Sequence, residues 1–268
     1  MKIKQSGFSL IELAVVLFIL SLLLGGMLSP LATSIEQENR QKAQDDLNEI
    51  KDLLLGYAII NGRLPCPDCP DLTVGSCNAA GSSNVNDGLE DRYDSGGIQV
   101  CRTDIGNLPW TELQIKSDDA WGNYYTYQVT PDFSRESNNS ACGSATTGIS
   151  FELCTSGDID IYDTYATTYP VTPTVANDVV AIVISHGKNF LETSQQDQEV
   201  ENYGRNPENP DSGTTIISSY TPSDYVSNVF IYTDYTNTSS GDVAYDDLMI
   251  WLPAPTLMNK MVSAGKLP

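Results

Sequence analysis

A single carboxylate, Glu12, sits in the apolar run GFSLIELAVVLFILSLLLGG that begins at Gly7; from Phe8 to Leu28 no other side chain can ionise. An acid held at membrane depth costs about 3 kcal/mol, so it is kept where a partner charge uses it. A second set of reactive groups lies beyond that run: Cys66, Cys69, Cys77, Cys101, Cys142 and Cys154. An even number of thiols on one side of an anchor suits oxidised bridges in an exported domain. Cys66 and Cys69, in RLPCPDC, have the spacing of a redox dithiol, but they follow a helical stretch and hold Pro67 between them. Zinc would want a second close pair, which Cys66, Cys69, Cys77 and Cys101 lack. Structural disulfides are the expected use. Six cysteines allow fifteen full pairings; the set expected is Cys69–Cys77 and Cys142–Cys154 as local loops, with Cys66–Cys101 pinning a helix end.

Two further groups could do chemistry. Asp242, Asp246 and Asp247 flank an apolar strand in AYDDLMIWLP, and an oxygen-rich loop of this kind can hold calcium; the simpler reading is a solvated acidic turn. His186, the one histidine, stands in VISHGKN, with Ser185 too close in sequence to serve as its nucleophile. There is no nucleophile elbow and no metalloprotease helix motif, so a polar strand-end role in a turn is expected, with no enzyme activity and no required cofactor.

The balance of the chain limits its partners. With 268 residues and 40% hydrophobic content it has enough material for a core. Thirty-five acidic residues against 14 basic ones give a net charge of −21, which repels nucleic acid and anionic lipid headgroups. No nucleic-acid contact is expected.

The elements that position these groups read as follows. Phe8–Leu28 would rise about 31 Å as a helix, one hydrocarbon core. Lys2 and Lys4 precede it, while Glu36 and Glu38 follow before Arg40, which places the N-terminus inside and the remainder outside. A cleaved secretory signal would need a small-x-small end, and the candidate ending at Ala32 has Pro30 where a small residue is wanted. Leu31, Ile35, Ala43, Leu47, Ile50, Leu54 and Tyr57 then form a helical stripe, stopped by Asn61-Gly62 and Pro65. Strands are expected at Asn123–Val129, Ile149–Leu153, Asp178–Ser185, Asn228–Thr233 and Val243–Leu252, with long polar loops at Leu72–Tyr93 and Gln195–Gly213 and a last helix at Pro255–Ala264.

MKIKQSG-FSLIELAVVLFIL resembles the N-terminus of type IV prepilins and type II secretion pseudopilins: a short basic leader ending in glycine, then phenylalanine, then glutamate four residues on. The resemblance implies cleavage between Gly7 and Phe8 by a prepilin peptidase/methyltransferase, with N-methylation of Phe8. Cleavage exposes a cationic amine one helical turn from Glu12, so Glu12 of one subunit can pair with Phe8 of a neighbour. It further implies a helix that is transmembrane in its first half and amphipathic in its second, packed on an antiparallel, disulfide-stapled head: an α+β fold. SDDAWGNYYTY is similar to the Asp-Pro-Trp-Gly-Asn segment of major type II secretion pseudopilins, with a tight turn feeding a strand and Trp121 in the core. NLPWTEL and LPCP are similar to stretches of a group of large prepilin-like proteins. Those pseudopilins bind calcium in a C-terminal loop, whose fuller acidic, glycine-rich form is missing here.

The organisation expected is therefore a leader at 1–7, a transmembrane half-helix at 8–29, an amphipathic half at 30–62 and an exported β-rich head at 63–268. The function implied is that of a minor pilin or pseudopilin with no chemistry of its own. Its partners would be other pilin or pseudopilin subunits, the processing peptidase, an inner-membrane assembly platform and the membrane itself. It would stand in the bacterial inner membrane with the head in the periplasm, then enter a pilus or pseudopilus. The alternative is a membrane-anchored ligand-binding or adhesin head outside any filament.

Overall fold

The computed structural model describes residues 10–70, 77, 85–136, 148–164, 172–188, 190, 202, 208–209, 214–215, 228–234, 236–237 and 243–268, without the side chains of 22–32, 208–209, 214–215, 236–237 and 243–244. They fall into two compact units, Met1–Lys42 and Ala43–Pro268. Helix α1, Leu10–Asn61, contributes to both.

In the first unit the described apolar side chains of α1 are exposed: Leu10 is 86% accessible, Ile11 71% and Phe18 66%. Among the described residues no helix is long and apolar enough to cross a membrane. The transmembrane half expected at 8–29 falls partly outside the described side chains. Ile35, expected on the buried stripe, is also exposed.

The second unit opens inside the helix. Ala43, Leu47, Ile50, Leu54 and Ala58, spaced by fours and a three, are all within 2% of full burial, so one face of the helix enters the core. The helix stops at Gly62, whose φ of +72° suits glycine and where a Cβ would collide with the Gly148 carbonyl. The Gly62 carbonyl accepts the Ser150 amide at 2.9 Å, which ties the helix end to the following chain.

After α1 the chain forms strands β1 (Arg92–Asp94), β2 (Gln99–Cys101) and β3 (Ile105–Asn107), a one-turn helix α2 (Trp110–Leu113) and β4 (Thr126–Val129). Then come β5 (Ile159–Tyr162), β6 (Ala176–Ser185), the short β7 (Glu208–Asn209) and β8 (Thr214–Thr215), and β9 (Val229–Ile231). The last elements are β10 (Thr236–Asn237), β11 (Val243–Tyr245), β12 (Leu248–Pro253) and α3 (Ala254–Ser263). The ten-residue β6 is the hub of the main sheet: its second half is flanked by β4 and β12, and its first half pairs with β5. β3 lies beyond β4, and β9 beyond β5. Alternation along β6 builds two cores. Ala181 and Val183 join the cluster that holds Leu47, Ile50, Leu54, Leu257 and Met261, while Ile182 and Ile184 meet Ile105, Ile159, Phe230 and Met249 on the other side.

Four sequence expectations need correcting. The sheet is mixed, because β5 and β9 pair in parallel. Ile149–Leu153 is no strand: Phe151 packs its ring 4.8 Å from Phe133, and the Glu152 amide donates to Thr155 Oγ1, which turns the chain. Val243–Leu252 is broken at Asp246-Asp247, whose side chains turn inward. Trp121 is half-buried and lies outside the core clusters; Tyr125 and Tyr127 fill that place.

Candidate functional site

Gly7 and Phe8 lie outside the described residues. Glu12 is in the first turn of α1, exposed among exposed Leu10, Ile11 and Leu13.

The cysteines are built into the head. Cys66 is bonded to Cys101 with the Cα atoms 5.2 Å apart, and Cys69 to Cys77 at 5.9 Å. Cys66 and Cys69 therefore serve separate bridges, and the dithiol and zinc readings of the motif fall. Cys154 is also disulfide-bonded, whereas Cys142 lies outside the described residues. Around this loop the Arg63 guanidinium grips Glu90 with two bonds, Nη1 to Oε2 at 2.7 Å and Nη2 to Oε1 at 2.6 Å. The Cys66 amide also donates to Glu90 Oε2 at 3.1 Å. Burial works against ionisation of Glu90, but the bonds and charge of Arg63 outweigh it and hold the carboxyl below its ordinary range.

Asp68 stands between the two bridged cysteines and is fully buried. Its Oδ2 accepts the Gly88 amide at 3.0 Å, while Oδ1 has no partner among the described residues. Burial raises its pKa to about 7, opposed by that amide bond and reinforced by the charges of Asp91 and Asp87.

A second buried polar chain runs across the sheet from the turn at Ser117–Tyr127. Asp119 Oδ1 accepts the amides of Trp121 and Asn123, both at 2.9 Å, and Gly122 between them takes φ +88°. Its Oδ2 accepts the Ser185 hydroxyl at 2.6 Å. Burial raises the Asp119 pKa, with these donors and His186 opposing. His186 is 1% exposed, so it is a core residue and not a turn residue. Its Nε2 lies 2.8 Å from Thr126 Oγ1, its Nδ1 3.5 Å from Asp247 Oδ1, and its ring stacks on Phe190. Asp247 Oδ2 accepts Asn202 Nδ2 at 2.7 Å, and Asp246 Oδ2 accepts the Lys188 amide at 2.9 Å.

The aspartates considered for calcium are thus not a solvated turn: Asp246 and Asp247 are buried and engaged with the protein, and Asp242 lies outside the described residues. Among the described residues no group of three or more acidic, histidine or cysteine side chains is placed to hold a metal ion. Sequence reasoning missed Thr126, Asn202 and Asp119 as partners. Asp119 carried a signal, the Asp-x-x-Gly-Asn turn; Thr126 and Asn202 carried none, since the sheet register and pairings distant in sequence bring them to His186 and Asp247.

Residues 2–28 match the family model of the prokaryotic N-terminal methylation motif, the prepilin-type signal of type IV pilins and pseudopilins. No curated protein matches the chain, and no solved structure does. The motif implies processing by prepilin peptidase and assembly with other pilins in general. The chain carries a prepilin-type signal ahead of a mixed helix-and-sheet head.

Proposed function

We propose that this protein is a minor pilin or pseudopilin, a low-copy filament subunit of a type IV pilus or type II secretion system. The observation that carries the reading is the methylation motif over residues 2–28, with Glu12 exposed in the first turn of an apolar-faced helix. Cleavage after Gly7 turns an amide into a cationic amine on Phe8. The N-terminal segment holds the subunit at the inner membrane until its helix packs beside those of neighbours. Glu12 of one subunit then pairs with the Phe8 amine of another, and because breaking one side of a buried ion pair costs about 3–5 kcal/mol, the pair fixes axial register.

The head acts by shape and surface and not by catalysis. Supporting this, the Thr126–His186–Asp247 chain has the order of a nucleophile, base and acid, yet Thr126 is 4% and His186 1% exposed. Glu12→Leu is expected to leave cleavage and the melting temperature of the head unchanged while the variant drops out of sheared filaments. Wild-type levels in the filament fraction would refute the pairing.

A further inference from the structure

Two stretches of the head lie face to face, Pro67–Pro70 after α1 and the strap Asn86–Asp91. The Asn86 amide donates to the Cys69 carbonyl at 3.0 Å and the Asp91 amide to the Pro67 carbonyl at 3.2 Å. The Cys69 amide donates in return to Asp91 Oδ2 at 2.8 Å. Asp68 is at the centre of this seam. It is 0% exposed, its Oδ2 accepts the Gly88 amide of the strap, and its Oδ1 has no hydrogen-bond partner among the described residues. The charges that act on it are those of Asp91 and Asp87, both carried by the strap and both of its own sign. Of the other charged groups there, Arg102 acts on Asp91, and Glu90 is held by Arg63 and Arg92. An ionised carboxyl buried in this way lacks the water and donors that its second oxygen needs, and it repels the strap that covers it. A protonated one carries no charge to hydrate or to repel.

We propose that Asp68 is a pH-operated latch: its protonated form holds the Asn86–Asp91 strap against Pro67–Pro70, and its ionised form releases the strap by local opening while the sheet stays folded. Four backbone amides cross or close the seam, those of Asn86, Gly88, Asp91 and Cys69, so the strap can part as one small unit well below the cost of global unfolding. Burial first, then the charges of Asp91 and Asp87, raise the Asp68 pKa to about 7 against the pull of the Gly88 and Asp87 amides. In the opened strap the carboxyl is hydrated and titrates near its ordinary value of 3.8. The latch is therefore fully closed below that value and is lost as pH rises through the latched one. Asp91 leans the same way, since burial also raises its pKa. This inference stands whether or not the chain enters a filament.

Amide hydrogen exchange of the full chain in detergent micelles, read as protection factors at a series of pH values, tests the latch. Between pH 5 and 7 protection of the Gly88 and Asp91 amides is expected to fall at least tenfold and to level off above pH 7. The Val129 and Thr130 amides, bonded to Asp104 and Val180 elsewhere in the head, should keep their protection throughout. Asp68→Asn, which copies the shape of the protonated acid, should hold the strap closed at pH 7 and flatten its profile. Asp87→Asn removes one repelling charge, so its fall should level off at a lower pH than the parent's. The parent's own strap-against-sheet comparison decides the matter if a variant does not fold. Strap protection that is level from pH 5 to 7 overturns the proposal. So does an equal fall at Val129 and Thr130, which assigns the effect to global unfolding, or a parent-like fall in folded Asp68→Asn, which assigns it to another acid.

Discussion

In the first unit Glu12 is exposed among exposed leucines and isoleucines, whereas in the second Asp68, Asp119 and Asp247 are at most 4% exposed and turned inward. Equivalent carboxyl groups thus answer to different partners. Glu12 lies exposed on the first turn of the helix. The head acids are answered by amides, hydroxyls and a guanidinium of their own chain. The difference teaches where to look for each effect: changes in the N-terminal segment should register in assembly, and changes in the head in stability and its pH dependence.

The largest effect that would sharpen this contrast is loss of the Cys66–Cys101 bridge. It closes 35 residues, and the chain-entropy estimate for a loop of that length is about 4 kcal/mol. Cys66→Ser with Cys101→Ser should lower denaturant-measured stability by about that amount while leaving N-terminal processing intact; a stability unchanged within error would break the account of how the helix end is held.

Next comes Glu90→Gln. Glu90 and Arg63 are 13% and 11% exposed, and a neutral amide leaves the guanidinium unmatched, at a cost of about 3 kcal/mol. Because the folded-state pKa of Glu90 is lowered, its contribution is present above the unfolded carboxyl pKa and is lost as pH falls through the folded value. The variant should therefore lose stability near neutrality and converge with the parent in strong acid.

Asp68 slopes the other way. Its folded pKa of about 7 lies above the unfolded value, so the proton-bound form stabilises the head, fully below the unfolded pKa, and that stability is lost as pH rises towards 7. The slope from this one group is at most about 1.4 kcal/mol per pH unit. Asp68→Asn should be more stable than the parent at pH 8, by up to about 4 kcal/mol, and show a flatter profile between pH 4 and 7. A parent profile that is flat in that window would contradict the buried, under-bonded carboxyl.

Much of the helical part was legible in the sequence. Leu47, Ile50 and Leu54 repeat at helical spacing, and Asn61-Gly62 stops the helix where a left-handed backbone is needed. Thr126–Val129 and Ala176–Ser185 announce themselves as strands through their tyrosines, valines and isoleucines. The rest depended on contacts distant in sequence. Ile105–Asn107 reads as Ile-Gly-Asn and becomes a strand only because β4 pairs with it. Ile159–Tyr162 is short, and nothing local says that its partner β9, some seventy residues on, runs parallel. In the candidate site the prepilin-type signal was readable because its chemistry is confined to adjacent residues. The buried chain from Asp119 to Asn202 was not, since sheet register and not spacing assembles it. The aromatic of the turn was misjudged for a related reason: Trp121 sits at the turn itself, and the strand that follows carries Tyr125 and Tyr127 into the core. Trp110 finds its place instead against Tyr124, stacked with ring centroids 5.0 Å apart.

The most direct check of the N-terminal account is intact-mass and N-terminal peptide mass spectrometry of the protein recovered from its native membrane. The account predicts a chain that starts at Phe8 and carries one methyl group on its amine. A chain that still begins at Met1, or one cut at any bond other than Gly7–Phe8, would contradict it.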